Sequence, residues 1–171
     1  MTVCNLKPMF MVAWVISVVV LVATGLGMPE MVGIKFDPQG VATGVLPKWA
    51  YMVSTSISLF LLPAIVALVP ASLVLSGSRW AWVPHKEYWL TPERRAEAGA
   101  TLAGQMQELA CMLMAFQLFH HWMVVEAVNK GARLDVQTDN LASYALAGGV
   151  GLWVLMRYWL WTPEAQVQQE A

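Results

Sequence analysis

The chain has 171 residues, 58% of them hydrophobic and only 12% charged, with net charge −1 and mean hydropathy +0.55. A soluble domain carries about a quarter charged residues, so this composition calls for a membrane as solvent, and a net charge so near zero leaves no basic field for nucleic acid. Cys4 and Cys111 make no disulfide framework, and neither has a second thiol at metal-ligand spacing.

Met1 to Lys7 is a short polar start. Met9 to Met28 then runs without a charge, and ~20 residues at ~1.5 Å each cover a ~30 Å hydrocarbon core. We read it as a retained span, with cleavage in the small-residue exit Ala23, Thr24, Gly25 and Gly27 as the alternative. Residues 29–48 form the first loop. Gly33, Pro38, Gly40, Gly44 and Pro47 favour turns and short extended pieces over helix.

Trp49 to Leu75 is the second span, opened by Trp49 and Tyr51 at headgroup level. Pro63 and Pro70 each remove a backbone donor, which predicts a kink near Pro63 and a bend or end near Pro70. Ser54, Thr55, Ser56 and Ser58 are expected to face other helices or bond back to their own carbonyls.

Residues 76–106 are read as a cytoplasmic loop and helix start. Thr91 suits an N-cap, Pro92 the first helical position, and Glu93 the positive helix end. One helix is expected from about Pro92 to Val128, apolar from Leu109 and interrupted by Gln117, His120 and His121. A polar loop follows to Asn140. The fourth span is Leu141 to Trp161, with small residues four apart (Ala145 and Gly149, Ala147 and Gly151) that let a helix come close. Spans at about 9–28, 49–75, 107–128 and 141–161 make an all-α four-helix membrane bundle with a long third helix reaching into the cytoplasm.

Both termini then share one side. Lys7, Arg79, Lys86, Arg94, Arg95 and Arg157 fall there, against Lys35, Lys48, Lys130 and Arg133 on the other, which favours cytoplasmic termini. The stretch Tyr88-Trp89-Leu90-Thr91-Pro92-Glu93 is echoed by Tyr158-Trp159-Leu160-Trp161-Thr162-Pro163-Glu164. Both copies read as aromatic interface anchors followed by a helix start.

Several residues invite chemistry. His120, His121 and Glu126 form a candidate intramembrane polar cluster near the outer end of the third span, and such groups are costly enough in lipid to suggest a ligand, a relay or a helix contact. Adjacent helical residues point about 100° apart, so the two histidines make no facing pair for a metal. His85, the remaining histidine, lies in a loop on the opposite side. A histidine that bonds a neighbouring helix is therefore the preferred reading. The 11 methionines form no dense string for copper(I) and read as packing. Glu108 and Arg157 lie at similar depth on the third and fourth spans and form a candidate interhelix pair. Tyr88, Trp89, Thr91, Pro92, Glu93, Arg94 and Arg95 are the candidate partner surface, against the plainer reading of an orienting, lipid-anchoring loop. No phosphate-cradling loop, Cys-x-x-Cys, nucleophile elbow or His-Glu-x-x-His is present, so no enzyme activity and no cofactor are expected.

The stretches VPHKEYWLTPERRAEAGATL and HHWMVVEAVN resemble small bacterial membrane proteins carrying a domain of unknown function shared with SdpI-type immunity proteins. Pro84, Lys86, Glu87, Tyr88, Trp89, Leu90, Pro92, Glu93 and Arg95 carry the resemblance, which covers roughly residues 9–130. In the first loop, Lys35 stands where the family has histidine and Asp37 where it has asparagine. The resemblance implies a multi-pass bacterial inner-membrane protein with an immunity or sensing role, working through contacts with lipid and with a protein at the cytoplasmic loop. An accessory subunit of a membrane enzyme or transport complex is the alternative, and homo-oligomerisation stays open.

Overall fold

A computed structural model describes residues 7–81, 83–131 and 133–160, the last three by backbone alone. Cys4, Trp82 and the Trp161-Thr162-Pro163-Glu164 part of the echo, with the expected end of the fourth span at Trp161, lie outside the described residues. The elements are α1 (Pro8–Gly27), β1 (Met31–Phe36), β2 (Ala42–Pro47), α2 (Lys48–Ser56), a π-helical turn (Ile57–Leu61), α3 (Leu62–Leu75), α4 (Lys86–Trp89), α5 (Arg95–Asn129) and α6 (Val136–Leu160).

The fold is mostly helical but not all-α. The first loop folds into an antiparallel hairpin, pairing Met31 with Pro47 and Phe36 with Ala42. Its turn is built by Asp37, whose Oδ1 accepts the N–H groups of Gln39 and Val41 at 2.9 and 2.8 Å. An aspartate that binds its own following backbone is a turn device. Gly40 closes the turn at φ +76°, and its carbonyl accepts the Leu134 N–H at 2.7 Å. The hairpin is thereby tied to the α5–α6 connection.

Three helical segments are long and apolar enough to cross a membrane: Pro8–Gly27, the continuous Lys48–Leu75 run and Arg95–Asn129. Their outward faces are apolar. Val12, Val15, Val19 and Val22 of α1 are all exposed, where a helix facing water would carry polar groups. α6 is a fourth long helix, but its polar first turns hold Gln137, Thr138, Asp139 and Asn140. It starts before the expected Leu141 because Asp135 caps it: the carboxylate accepts the Thr138 N–H at 3.1 Å and its hydroxyl at 2.6 Å.

The prolines act differently from each other. Ahead of Pro63 the helix widens to a π turn, with the Leu62 N–H bonded to the Ile57 carbonyl. The missing donor and ring crowding at Pro63 are absorbed there. The helix does not end at Pro70 but runs through it to Leu75. The hydroxyls of Ser54, Ser56 and Ser58 bond back to carbonyls of their own helix.

α5 is the axis, ~52 Å long at ~1.5 Å per residue. α1 runs alongside it in the same sense, from Lys7 beside Gln107 to Thr24 beside His121. α2–α3 and α6 run the other way, from Tyr51 beside His121 to Leu75 beside Gly99, and from Asp139 beside His120 to Arg157 beside Glu108. The apolar core follows this axis. Phe10, Leu21, Leu59, Ala67, Ala110 and Met114 fill its middle, and Met28, Val32, Tyr51 and Val124 close it beneath the hairpin.

Candidate functional site

The candidate residues gather at the two ends of α5. At the hairpin end His121 is 1% exposed, although it is an ionisable group in an apolar bundle. Its Nε2 lies 2.7 Å from Thr24 Oγ1 on α1, and its Nδ1 lies 2.8 Å from the Tyr51 hydroxyl on α2. Thr24 Oγ1 also donates to the Val20 carbonyl at 2.8 Å. Each hydroxyl has one proton. The arrangement that gives every proton one acceptor is a neutral imidazole with Nε2–H donating to Thr24 and Tyr51 O–H donating to Nδ1. Both ring nitrogens are then satisfied, and one side chain ties three helices together. The Tyr51 and His121 rings also stack, with centroids 5.7 Å apart.

His120 points elsewhere, as helical geometry requires. Its Nδ1 lies 2.9 Å from Asp139 Oδ1 in the first turn of α6. Glu126 joins neither histidine and instead pairs with Lys130, one turn on. The expected cluster is therefore three separate contacts. Among the described residues no three His, Cys, Asp or Glu side chains come together as a metal-holding group.

At the other end the structure brings Glu108 and Arg157 together and adds a third partner. Arg157 Nη2 donates to Glu108 Oε2, and Lys7 Nζ donates to Oε1 at 2.9 Å. The Lys7 N–H donates to Gln107 Oε1 at 2.6 Å. One carboxylate therefore holds the ends of α1 and α6 against α5.

The corner before α5 is a folded unit. α3 ends in a Schellman arrangement, with Gly77 N–H on the Val74 carbonyl, Ser78 N–H on the Leu73 carbonyl, and Gly77 at φ +66°. The Arg95 guanidinium covers Gly77 so closely that a Cβ there would lie 2.7 Å from Nη1, and Nη2 donates to the Leu90 carbonyl at 3.0 Å. Arg94 lies over the Tyr88 ring, its guanidinium carbon 3.7 Å from the centroid.

Two expectations are corrected at this corner. Trp89 offers no partner surface: it is 3% exposed and packs on Val74, Ala81, Val83, Ala98 and Leu102. An indole with that much apolar area is worth more as core than as an exposed anchor. The Thr91 side chain does not cap α5. Its hydroxyl donates to the Tyr88 carbonyl, and its own carbonyl accepts from Arg94 and Arg95, so α5 begins at Arg95. Pro92, Glu93 and Arg94 remain exposed, while Tyr88, Thr91 and Arg95 are half-buried.

Sequence reading missed Thr24, Tyr51, Lys7 and Asp139 as the partners that complete these contacts. Thr24 and Tyr51 stand three residues inside the ends of α1 and α2 that flank the hairpin, so matched depth from that loop was the available signal. Compared with family models, with curated proteins and with solved structures, the chain finds no match.

Proposed function

We propose that this chain is a four-span protein of the bacterial inner membrane, with both termini cytoplasmic, that acts through protein contacts in an immunity or sensing role and not by catalysis. One observation carries this reading: a single helix, α5, joins two built ends. One is the hairpin, tied through Leu134 to the α5–α6 connection and set over the His121 junction, and the other is the corner packed on Trp89 and Arg95. The buried polar groups of the site support it, because His121 uses both nitrogens to join helices. The resemblance to SdpI-type immunity proteins points the same way. In this reading the hairpin meets a peptide or protein outside, the exposed Pro92-Glu93-Arg94 edge meets one inside, and α6 crosses the bilayer as the fourth span.

Site-specific photo-crosslinking tests it in intact cells. A photoreactive residue at Gln39 or at Glu93 should yield a discrete adduct with another protein. The Gln39 adduct should vanish in an Asp37→Ala variant, which loses the turn, while the melting temperature of the bundle holds. Adducts with lipid or with this chain alone, at both positions, would reject the proposal.

A further inference from the structure

A cavity of about 570 Å³ lies between α3, the corner, α5 and α6, at the end of the bundle opposite the hairpin. That is within the usual ~300–1,000 Å³ of a small-molecule site. Its walls are apolar, with Pro70, Leu102, Met106 and Val154 among them, and Lys86 and Arg157 also line it. Val154 lines the cavity and is exposed on α6, so the cavity opens at the outer surface of the bundle, which the membrane reading turns toward hydrocarbon.

The charges are not balanced within the protein. Glu108 is shared by Arg157 and Lys7, one carboxylate for two cations. Lys86 makes no ion pair among the described residues and reaches only the Arg79 carbonyl, at 3.4 Å. Glu87, its chain neighbour, is exposed and does not line the cavity. Trp153 also lines it, and its indole Nε1–H is buried with no acceptor among the described residues. Because that nitrogen is closed to water, the Trp153 ring lends the cavity an apolar wall.

We propose that this cavity binds one anionic glycerophospholipid. The phosphate engages Lys86 and Arg157, and an acyl chain lies along Pro70, Leu102, Met106 and the Trp153 ring. Basic pockets between helices at a membrane face take anionic headgroups, each cation adding about a fivefold preference. The inference rests on the membrane reading of the helices and not on any protein partner. Its failure leaves the crosslinking at Gln39 and Glu93 untouched, so the two readings fail separately.

Native mass spectrometry of the full chain in mild detergent, offered equal phosphatidylglycerol and phosphatidylcholine, tests it. One phosphatidylglycerol per chain should be retained, preferred at least about tenfold. Lys86→Gln, at an exposed position, should cut that preference about fivefold, and Val154→Trp should remove bound lipid of either kind. Millimolar inorganic phosphate should not displace the lipid. Equal retention of the two lipids overturns the proposal, as does a preference unchanged in Lys86→Gln. Displacement by phosphate alone, or a dimer from which lipid is absent, overturns it too.

Discussion

Tyr51 and His121 meet inside the bundle, hydroxyl to Nδ1 at 2.8 Å, and that contact fixes the depth at which α2 crosses α5. Thr24 completes it from α1 at 2.7 Å. The hairpin then rests on the same residues, because Val32 packs on Tyr51 and Val124 one layer further out. A single imidazole thus links three helices directly beneath the hairpin.

Removing one partner should cost more than a surface hydrogen bond and less than a buried one in a soluble core. A stranded buried group costs about 1–3 kcal/mol, but interhelical hydrogen bonds in lipid average only ~0.6 kcal/mol because separated helices find other partners. Tyr51→Phe should therefore lose about 1 kcal/mol, measured by reversible unfolding in bicelles. The double variant Tyr51→Phe/His121→Leu should lose less than the sum of the two single changes, because the second removes the group the first left stranded. Strict additivity would show that the pair does not interact.

Glu108 should matter more than Arg157. Losing the carboxylate leaves both Lys7 and Arg157 unpaired, whereas losing Arg157 leaves the Lys7–Glu108 pair in place. The three side chains are 28–44% exposed, so water screens the pairs and each loss should stay below about 1 kcal/mol. The order of melting temperatures should be wild type, then Arg157→Gln, then Glu108→Gln, with the double variant no worse than Glu108→Gln. If both single variants melt with the wild type, the pairing carries no stability.

Gly151 should gain stability on replacement by alanine and Gly99 should not. Alanine in a helix gains about 0.5–1 kcal/mol over glycine. At Gly151 nothing lies within 4 Å of the added carbon, so that gain should appear. At Gly99 the added carbon would lie 2.5 Å from Leu75 Cδ2 and 2.7 Å from its Cγ. The Leu75 side chain must swing aside, and because it is partly exposed the displacement cancels the helix gain without reaching the about 1–3 kcal/mol of core overpacking. Thermal unfolding of the two variants reads the contrast directly, and equal shifts would deny the close α3–α5 approach.

The three helices long and apolar enough to cross a membrane were legible from apolar run length, and the Glu108–Arg157 contact from matched depth on facing helices. The α6 start was not, because run length sees the polar residues Gln137 to Asn140 and not the cap that Asp135 provides. The hairpin was legible only as turns and short extended pieces, since β1 and β2 lack the strict alternation that marks a strand and carry register shifts between Gly33 and Phe36. The corner misled for a physical reason. A tryptophan at a membrane face reads as an anchor, and burial of Trp89 depends on Val74 and Ala98 arriving from two other helices. The partners of His121 were hidden in the same way, because Thr24 and Tyr51 are ordinary residues whose role comes from where the chain returns.

The cap on α6 should give a pH signature. Hydrogen bonds from the Thr138 hydroxyl and N–H hold the exposed Asp135 carboxyl below the ordinary aspartate range. A depressed folded value means that the cap's contribution is full above the unfolded aspartate value and is lost as pH falls through the folded one. The Thr138 amide shift, followed by NMR in micelles, should titrate with a midpoint below that of a free aspartate and should stay flat in Asp135→Asn. A midpoint at or above the free value would contradict the cap.

The hairpin turn and the corner stand at opposite ends of α5, and the proposed membrane crossing puts them on opposite sides, which makes sidedness the most direct check. Single cysteines at Gln39 and at Glu93, in a chain whose Cys4 and Cys111 are replaced by serine, can be labelled in intact cells and in inverted vesicles with a membrane-impermeant maleimide. The expected result is Gln39 labelled only from outside and Glu93 only from inside. Labelling of both positions from the same side would contradict the account.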